Sequence, residues 1–319
     1  LIDMIVPALN LSPFEKYLFA YSVAKKFKKY KENHDDKMSA RNLYKLLDNE
    51  YMVCGGFSKL LGDLSSKLGV ETQDLSVSVD VGLDAIKSDE FVLPDFIENR
   101  DGEKKEVLTE RVRHARRHVH IVDPKYGIDG YFIADPTWDN DMEHDTFNYA
   151  LMTYDEYITT DRYNYVDIWG INELLFSHSL EEFYSKINFL IDKGKVKTEN
   201  EVVIKFLSYF KSVDKRFYER LMNKYNIKQD FNPNLSTEQI GDIFLDIGEN
   251  ILNKANNKIS GKAYQDAITV LYRNVYGYSD EELDKKVSEV MEYNKRKQAY
   301  CFPKRYKINS DGSREVLFE

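Results

Sequence analysis

Cysteine is nearly absent from this chain: there are two in 319 residues, Cys54 and Cys301. They stand far apart and form neither a disulfide framework nor a metal-ligand spacing. That fits a reducing compartment, or an exported enzyme that lacks bridges. Proline and glycine are scarce, at 7 and 15 residues, so long helices are permitted. No apolar run is long enough to span a bilayer, and no membrane association is expected. The opening Leu1-Ile2-Asp3-Met4-Ile5-Val6 is too short, and has no basic segment, to read as a signal peptide. It also has no initiator Met. Localisation therefore stays open between the cytoplasm and the exterior. Broad positive charge is missing too: the formal net charge is -9 and the pI about 5.4. A protein that grips a nucleic-acid backbone needs a basic face. The one dense basic patch, Arg111, Arg113, Arg116 and Arg117, is short, so nucleic acid is not an expected partner.

What remains is the profile of a soluble globular protein, with 42% hydrophobic and 31% charged residues and a wealth of Tyr and Phe. The length is enough for a sizeable core and about two domains. The organisation expected is α+β over residues 1–165, followed by a mostly helical region with a terminal hairpin over residues 166–319.

Ser12-Pro13-Phe14-Glu15 reads as a capping box with Pro at the first helical position, opening a helix that ends among Lys25, Lys26, Lys28 and Lys29. A second helix is expected over about Ser39 to Leu47. Phe57, Leu60, Leu61, Leu64 and Leu68 repeat at helical spacing before a stop at Gly69, so Cys54 sits where a turn enters a helix. From Val112 the pattern alternates. His114, Arg116, His118 and His120 share one face, and Ala115, Arg117, Val119 and Ile121 share the other. A long turn over Asp123 to Gly130 and a strand over Tyr131 to Asp135 complete a hairpin. Helix starts are expected at Ser179, Thr198, Ser236 and Ser279, each followed three residues later by Glu or Gln. The end, around Asn309-Ser310-Asp311-Gly312, reads as a second hairpin.

Cys54 at a helix start, beside Gly55 and Gly56, has the setting in which a thiol is acidified and a carbonyl can approach. A buried inert cysteine is the plainer alternative. A thiol nucleophile needs a base, and the base needs an orienting group. His114 and Asp135 on adjacent strands can supply both. His118 is a second candidate base. His114, His118 and His120 also admit a purely structural strand face, or a zinc site helped by Glu143, His144 and Asp145. His34 and His178 read as surface or packing residues. Trp138 reads as a packing anchor and Cys301 as structural. Tyr149, Tyr154, Tyr157, Tyr163 and Tyr165 read as packing rather than as a cleft wall. Asn49 and Tyr51 are weak candidates for a side-chain oxyanion donor.

Three segments together resemble the transglutaminase-like superfamily, of the papain-related fold and with a bacterial character. Val53-Cys54-Gly55-Gly56-Phe57 is similar to its nucleophile motif, "V-C-x-G-[YF]". His114-Ala115-Arg116-Arg117-His118-Val119 is similar to "H-A-x-N-x-V", with Arg117 where the motif has Asn. Asp135-Pro136-Thr137-Trp138-Asp139 is similar to "D-x-T-W-D". The resemblance covers about residues 10–160. It implies a papain-like core, with a nucleophile helix on an antiparallel sheet, and a catalytic set of Cys54, His114 and Asp135. It implies acyl transfer on an amide or peptide bond of a protein or peptide substrate, with no cofactor and no metal. Hydrolysis is the expected outcome, transamidation to an amine the alternative, and a non-catalytic module on the same fold a further one. Oligomeric state is not legible.

Overall fold

The computed structural model describes residues 9–30, 51–82, 109–140, 145–154, 156, 174–175, 177–255, 257–301, 305–308 and 314–317; for 74–82, 109–113 and 293 onward it describes the backbone. The expected helix at Ser39 to Leu47 lies outside these residues. So do His34, Asn49, Glu143, His144, Tyr157, Tyr163 and Tyr165. The architecture is mixed α+β: N-terminal helices with a small antiparallel sheet, then a mostly helical region.

Helix α1 runs Pro13–Lys26. The expected capping box forms, with Glu15 accepting from the Ser12 amide at 2.7 Å. A further cap comes from 111 residues away. Asp123, at the end of a strand, accepts from the Ser12 hydroxyl at 2.5 Å and the Phe14 amide at 2.9 Å. Glu15 is itself buried. Burial alone would raise its carboxyl, but hydrogen bonds from Lys125, Tyr126 and the Ser12 amide outweigh that and hold it below the ordinary value. At the other end of α1, Lys25 is fully buried and pairs with Asp145 at 2.7 Å. The basic end of the helix is thus partly an internal ion pair.

Strands β1 (Lys29–Tyr30) and β2 (Tyr51–Met52) pair in parallel just before helix α2, Cys54–Lys67. Phe57, Leu61 and Leu64 form the buried face of α2, and Gly69, at φ +76°, ends it. Strand β3 (Glu71–Gly82), β4 (Thr109–Asp123) and β5 (Ile128–Ala134) form an antiparallel sheet with β4 in the centre. The β4–β5 turn is shorter than the sequence reading. Asp123 pairs with Ile128, so four residues make the turn and Ile128–Gly130 belong to the strand. Gly127 supplies the positive φ, +66°. Gly130, read as a turn residue, is instead a strand position where a Cβ would come within 2.7 Å of the Phe132 ring.

Helices α3 (Leu180–Asp192), α4 (Glu199–Val213), α5 (Lys215–Lys224), α6 (Thr237–Lys254), α7 (Gly261–Asn274) and α8 (Asp280–Cys301) follow. β6 (Arg305–Ile308) and β7 (Arg314–Leu317) pair as the expected terminal hairpin. No helix among the described residues is long and apolar enough to cross a membrane.

Strand β5 is buried on both sides. Along β5, Phe132 and Ala134 join an apolar cluster with Phe14, Tyr17, Leu61, Leu271 and Val287. Tyr131 and Ile133 join a second cluster with Phe183, Phe206, Phe210 and Ile247. Alternate residues of one strand thus feed two cores, as the strand period of two requires. Both cores draw on residues from either side of position 165. Each fully buried Phe or Leu contributes about 1.5–3 kcal/mol, so the helices beyond 165 are part of what encloses the sheet.

Candidate active site

Strand β4 is fifteen residues long and β5 is seven. The last β4–β5 pair is Arg117 with Ala134. From Arg116 back toward Thr109, β4 therefore lacks β5 as a neighbour, and Cys54 at the head of α2 comes against this stretch. The Cys54 thiol faces His114 and the Ala115 backbone amide, the groups that lower its pKa. Helix α2 is held there from below. The Ser58 hydroxyl donates to the Arg116 carbonyl at 2.9 Å, and Arg117 donates to the Ser58 carbonyl at 3.2 Å. The Arg117 guanidinium occupies the space a Cβ at Gly62 would fill. Arg117 is thus a tie between strand and helix.

Asp135 leaves the end of β5 toward the same place. Its amide bonds the Tyr149 carbonyl at 2.8 Å, and its carbonyl accepts from Tyr21 at 3.0 Å. Its Oδ1 accepts from the amides of Thr137 and Trp138 at 3.1 and 3.2 Å. Its Oδ2 lies 2.6 Å from His114 Nε2. Because Nε2 is committed to the carboxylate, Nδ1 is the ring nitrogen left to meet the thiol. Trp138 stacks on the His114 ring at 5.3 Å between centroids and 12° between planes, and meets Tyr149 edge-on at 5.2 Å. It is the packing anchor expected of it, placed against the imidazole.

The electrostatics follow from these contacts. Burial pushes the Cys54 thiol up, but the His114 hydrogen bond and charge and the Ala115 amide outweigh it, so the pKa falls below its usual value. Burial pulls His114 down, yet the Asp135 carboxylate and the thiol raise it to about 9. Burial raises Asp135; His114, Arg116 and the Trp138 amide bring it below the usual carboxylate range. All three shifts favour a thiolate, an imidazolium and a carboxylate in a row.

The other two histidines of the strand face go elsewhere. His118 Nδ1 lies 2.9 Å from the Tyr154 hydroxyl and 3.2 Å from that of Tyr209. Burial, then the charge of Arg117, lowers its pKa to about 3, so it is neutral at ordinary pH. His120 sits among Asp129 at 3.0 Å, Asp214 at 3.7 Å and Lys254 at 3.4 Å. The three imidazoles do not converge on one point. Among the described residues the one group with metal-ligand spacing is Glu71, His120 and Asp214. Lys254 already supplies a cation there, 3.0 Å from Asp214 and 3.2 Å from Asp129. His178 is exposed, as expected; Tyr149 and Tyr154 are buried packing residues; and Tyr51 is half-buried in β2.

Sequence reasoning missed Arg116. It is fully buried and lies 2.8 Å from Asp135 Oδ2, with its guanidinium 3.7 Å from the Trp138 ring centre. The signal was present: Arg116 shares the strand face of His114. Grouping it with its basic neighbours concealed that. Asp139 was also passed over. It accepts from Tyr21 at 2.7 Å, from Thr146 at 2.5 Å and from the Tyr149 amide at 2.8 Å, and so braces the segment behind Asp135. The chain matches no known family model and no curated protein sequence.

Proposed function

We propose that this protein is a cysteine-dependent acyl-transfer enzyme of papain-like, transglutaminase-type architecture, acting on amide or peptide bonds. Cys54 is the nucleophile, His114 the acid–base group and Asp135 its orienting partner. The observation that carries the reading is the alignment of the Cys54 thiol with His114, whose charge and contact lower the thiol pKa, and of His114 Nε2 with Asp135 at 2.6 Å.

The thiolate of Cys54 attacks the carbonyl carbon, and the carbonyl electrons move to oxygen. The amides at the very head of α2, before the Gly56 amide that bonds the Val53 carbonyl, are the candidate oxyanion donors. The tetrahedral centre collapses, the C–N bond breaks, and the amine leaves with the proton of the His114 imidazolium. A thioester on Cys54 remains. Neutral His114 then takes a proton from water as that water attacks. The C–S bond breaks, the carboxylic acid departs, and the thiolate–imidazolium pair is restored. Asp135 keeps the ring oriented throughout. Water is the acceptor always at hand, so hydrolysis is the favoured outcome, and a bound amine would divert the thioester to a new amide.

The test is acylation by an activated peptide ester, read by intact-protein and peptide mass spectrometry, with and without a primary amine. The acyl group is expected on Cys54, released mainly as free acid. An added amine capturing most of it would change the subclass to transamidation. Acyl transfer to another residue, or none to Cys54, would falsify the assignment.

A further inference from the structure

We infer that Arg116 is a positioning residue that shares the Asp135 carboxylate with His114 and thereby keeps the imidazolium proton transferable. The inference rests on the reading of Cys54, His114 and Asp135 given above. Arg116 Nε and His114 Nε2 meet the same oxygen, Asp135 Oδ2, at 2.8 and 2.6 Å. The two side chains also lie against the same indole, that of Trp138. One carboxylate and one ring therefore hold two cationic groups side by side on one strand face.

The consequence is electrostatic. A buried carboxylate that served the imidazolium alone would hold its proton very firmly. A second cation on the same oxygen draws off part of that attraction and repels the imidazolium directly. A guanidinium does not lose its charge at any working pH, so its share is permanent. This matters because His114 must give its proton to the leaving amine, and an imidazolium bound too tightly is a poor acid. A burial argument points the same way. Arg116 is 0% exposed, and an apolar side chain of similar size would fill that space without the cost of desolvating a charge. Arg116 also keeps Asp135 ionised, since its charge is one of the groups that lower that carboxyl.

The experiment is the pH dependence of alkylation of Cys54 by iodoacetate in the full chain. Iodoacetate is an anion, so its rate rises as the thiolate–imidazolium pair forms and falls when the imidazolium loses its proton and its attraction. Wild type is expected to show a falling limb near pH 9. In Arg116→Met that limb should move up by about one pH unit, the usual size of a one-charge effect at a buried site. Arg116→Gln keeps a donor without the charge and should move as far. Arg116→Lys keeps the charge and should return the limb to within about 0.3 unit of wild type. If Met fails to fold, the contrast between Gln and Lys decides. Superimposable profiles for wild type and the neutral variants would overturn the inference, as would a Lys variant shifted as far as Gln. A wild-type profile that only rises near the ordinary thiol value of about 8.5, with no falling limb, would instead remove the thiolate–imidazolium reading itself.

Discussion

His114 and His118 stand four residues apart on the same face of the same strand, both buried, and their pKa values move in opposite directions, to about 9 and about 3. Burial pulls both imidazoles down. At the His114 end an ionised carboxylate and a thiol more than offset it. At the His118 end the partners are two neutral tyrosine hydroxyls, and the charge that acts on the ring, Arg117, is positive. Residue type and burial are the same, so the partner decides whether a buried histidine favours its charged or its neutral form. The difference has a topological cause. At His118 the strand is paired on both sides, and helix α4 covers its face with Tyr209. At His114 the β5 neighbour is gone, and the head of α2 and the segment after Asp135 take its place.

The largest expected effect at the reactive end is from Cys54→Ala, which should remove acyl-enzyme formation altogether while leaving the far-ultraviolet circular dichroism unchanged. Residual turnover at wild-type rate would show that the chemistry lies elsewhere. Asp135→Asn should lower steady-state hydrolysis about 100-fold or more by misorienting the imidazole; a change of less than about threefold would mean the carboxylate is structural.

At the other end, His118→Phe should keep acylation within a few-fold of wild type but alter the response to acid. The sign follows from linkage. His118 is neutral in the fold down to about pH 3, whereas the unfolded side chain takes a proton near 6.5. Its contribution to stability is full above pH 6.5 and is lost as pH falls from 6.5 toward 3. Wild type should therefore lose thermal stability through that window, and the variant should lose less. Equal slopes would place His118 outside the acid response. His114 behaves in the opposite sense, contributing fully below pH 6.5 and losing its contribution as pH rises through about 9.

The smallest effect should come from Lys254→Met, which removes a partly exposed ammonium from Asp129, Asp214 and His120. A loss of about 1 kcal/mol in denaturant unfolding is expected, with no change in Cys54 labelling. A large loss of labelling would mean that the two ends of the strand are coupled.

Much of this was legible in the sequence wherever a local rule acts alone. The helices at Ser179, Thr198, Ser236 and Ser279 start where Ser or Thr is followed by Glu or Gln. Two others were missed for the same reason. α5 is capped by Asp214 and α7 by Ser260, and neither has an acid or amide three residues on, so half of the signal is missing. The meeting of His114 with Asp135 was readable because one lies on, and the other at the end of, two strands that pair as a hairpin. What was not readable depends on distant partners. The burial of Lys25 needs Asp145, the second cap on α1 needs Asp123, and the place of Arg116 needs Asp135 and Trp138. A charged residue on a strand face looks the same in sequence whether solvent or a carboxylate waits for it.

The most direct test of the account is the rate of Cys54 labelling by iodoacetamide between pH 5 and 9, in wild type and in His114→Ala, with Cys301 as the internal control. The thiolate–imidazolium pair predicts rapid labelling of Cys54 at pH 6 in wild type, far faster than Cys301. It also predicts a collapse in the variant to a single rise near the ordinary thiol value of about 8.5. Labelling of Cys54 that tracks Cys301 at every pH, and is indifferent to loss of His114, would contradict it.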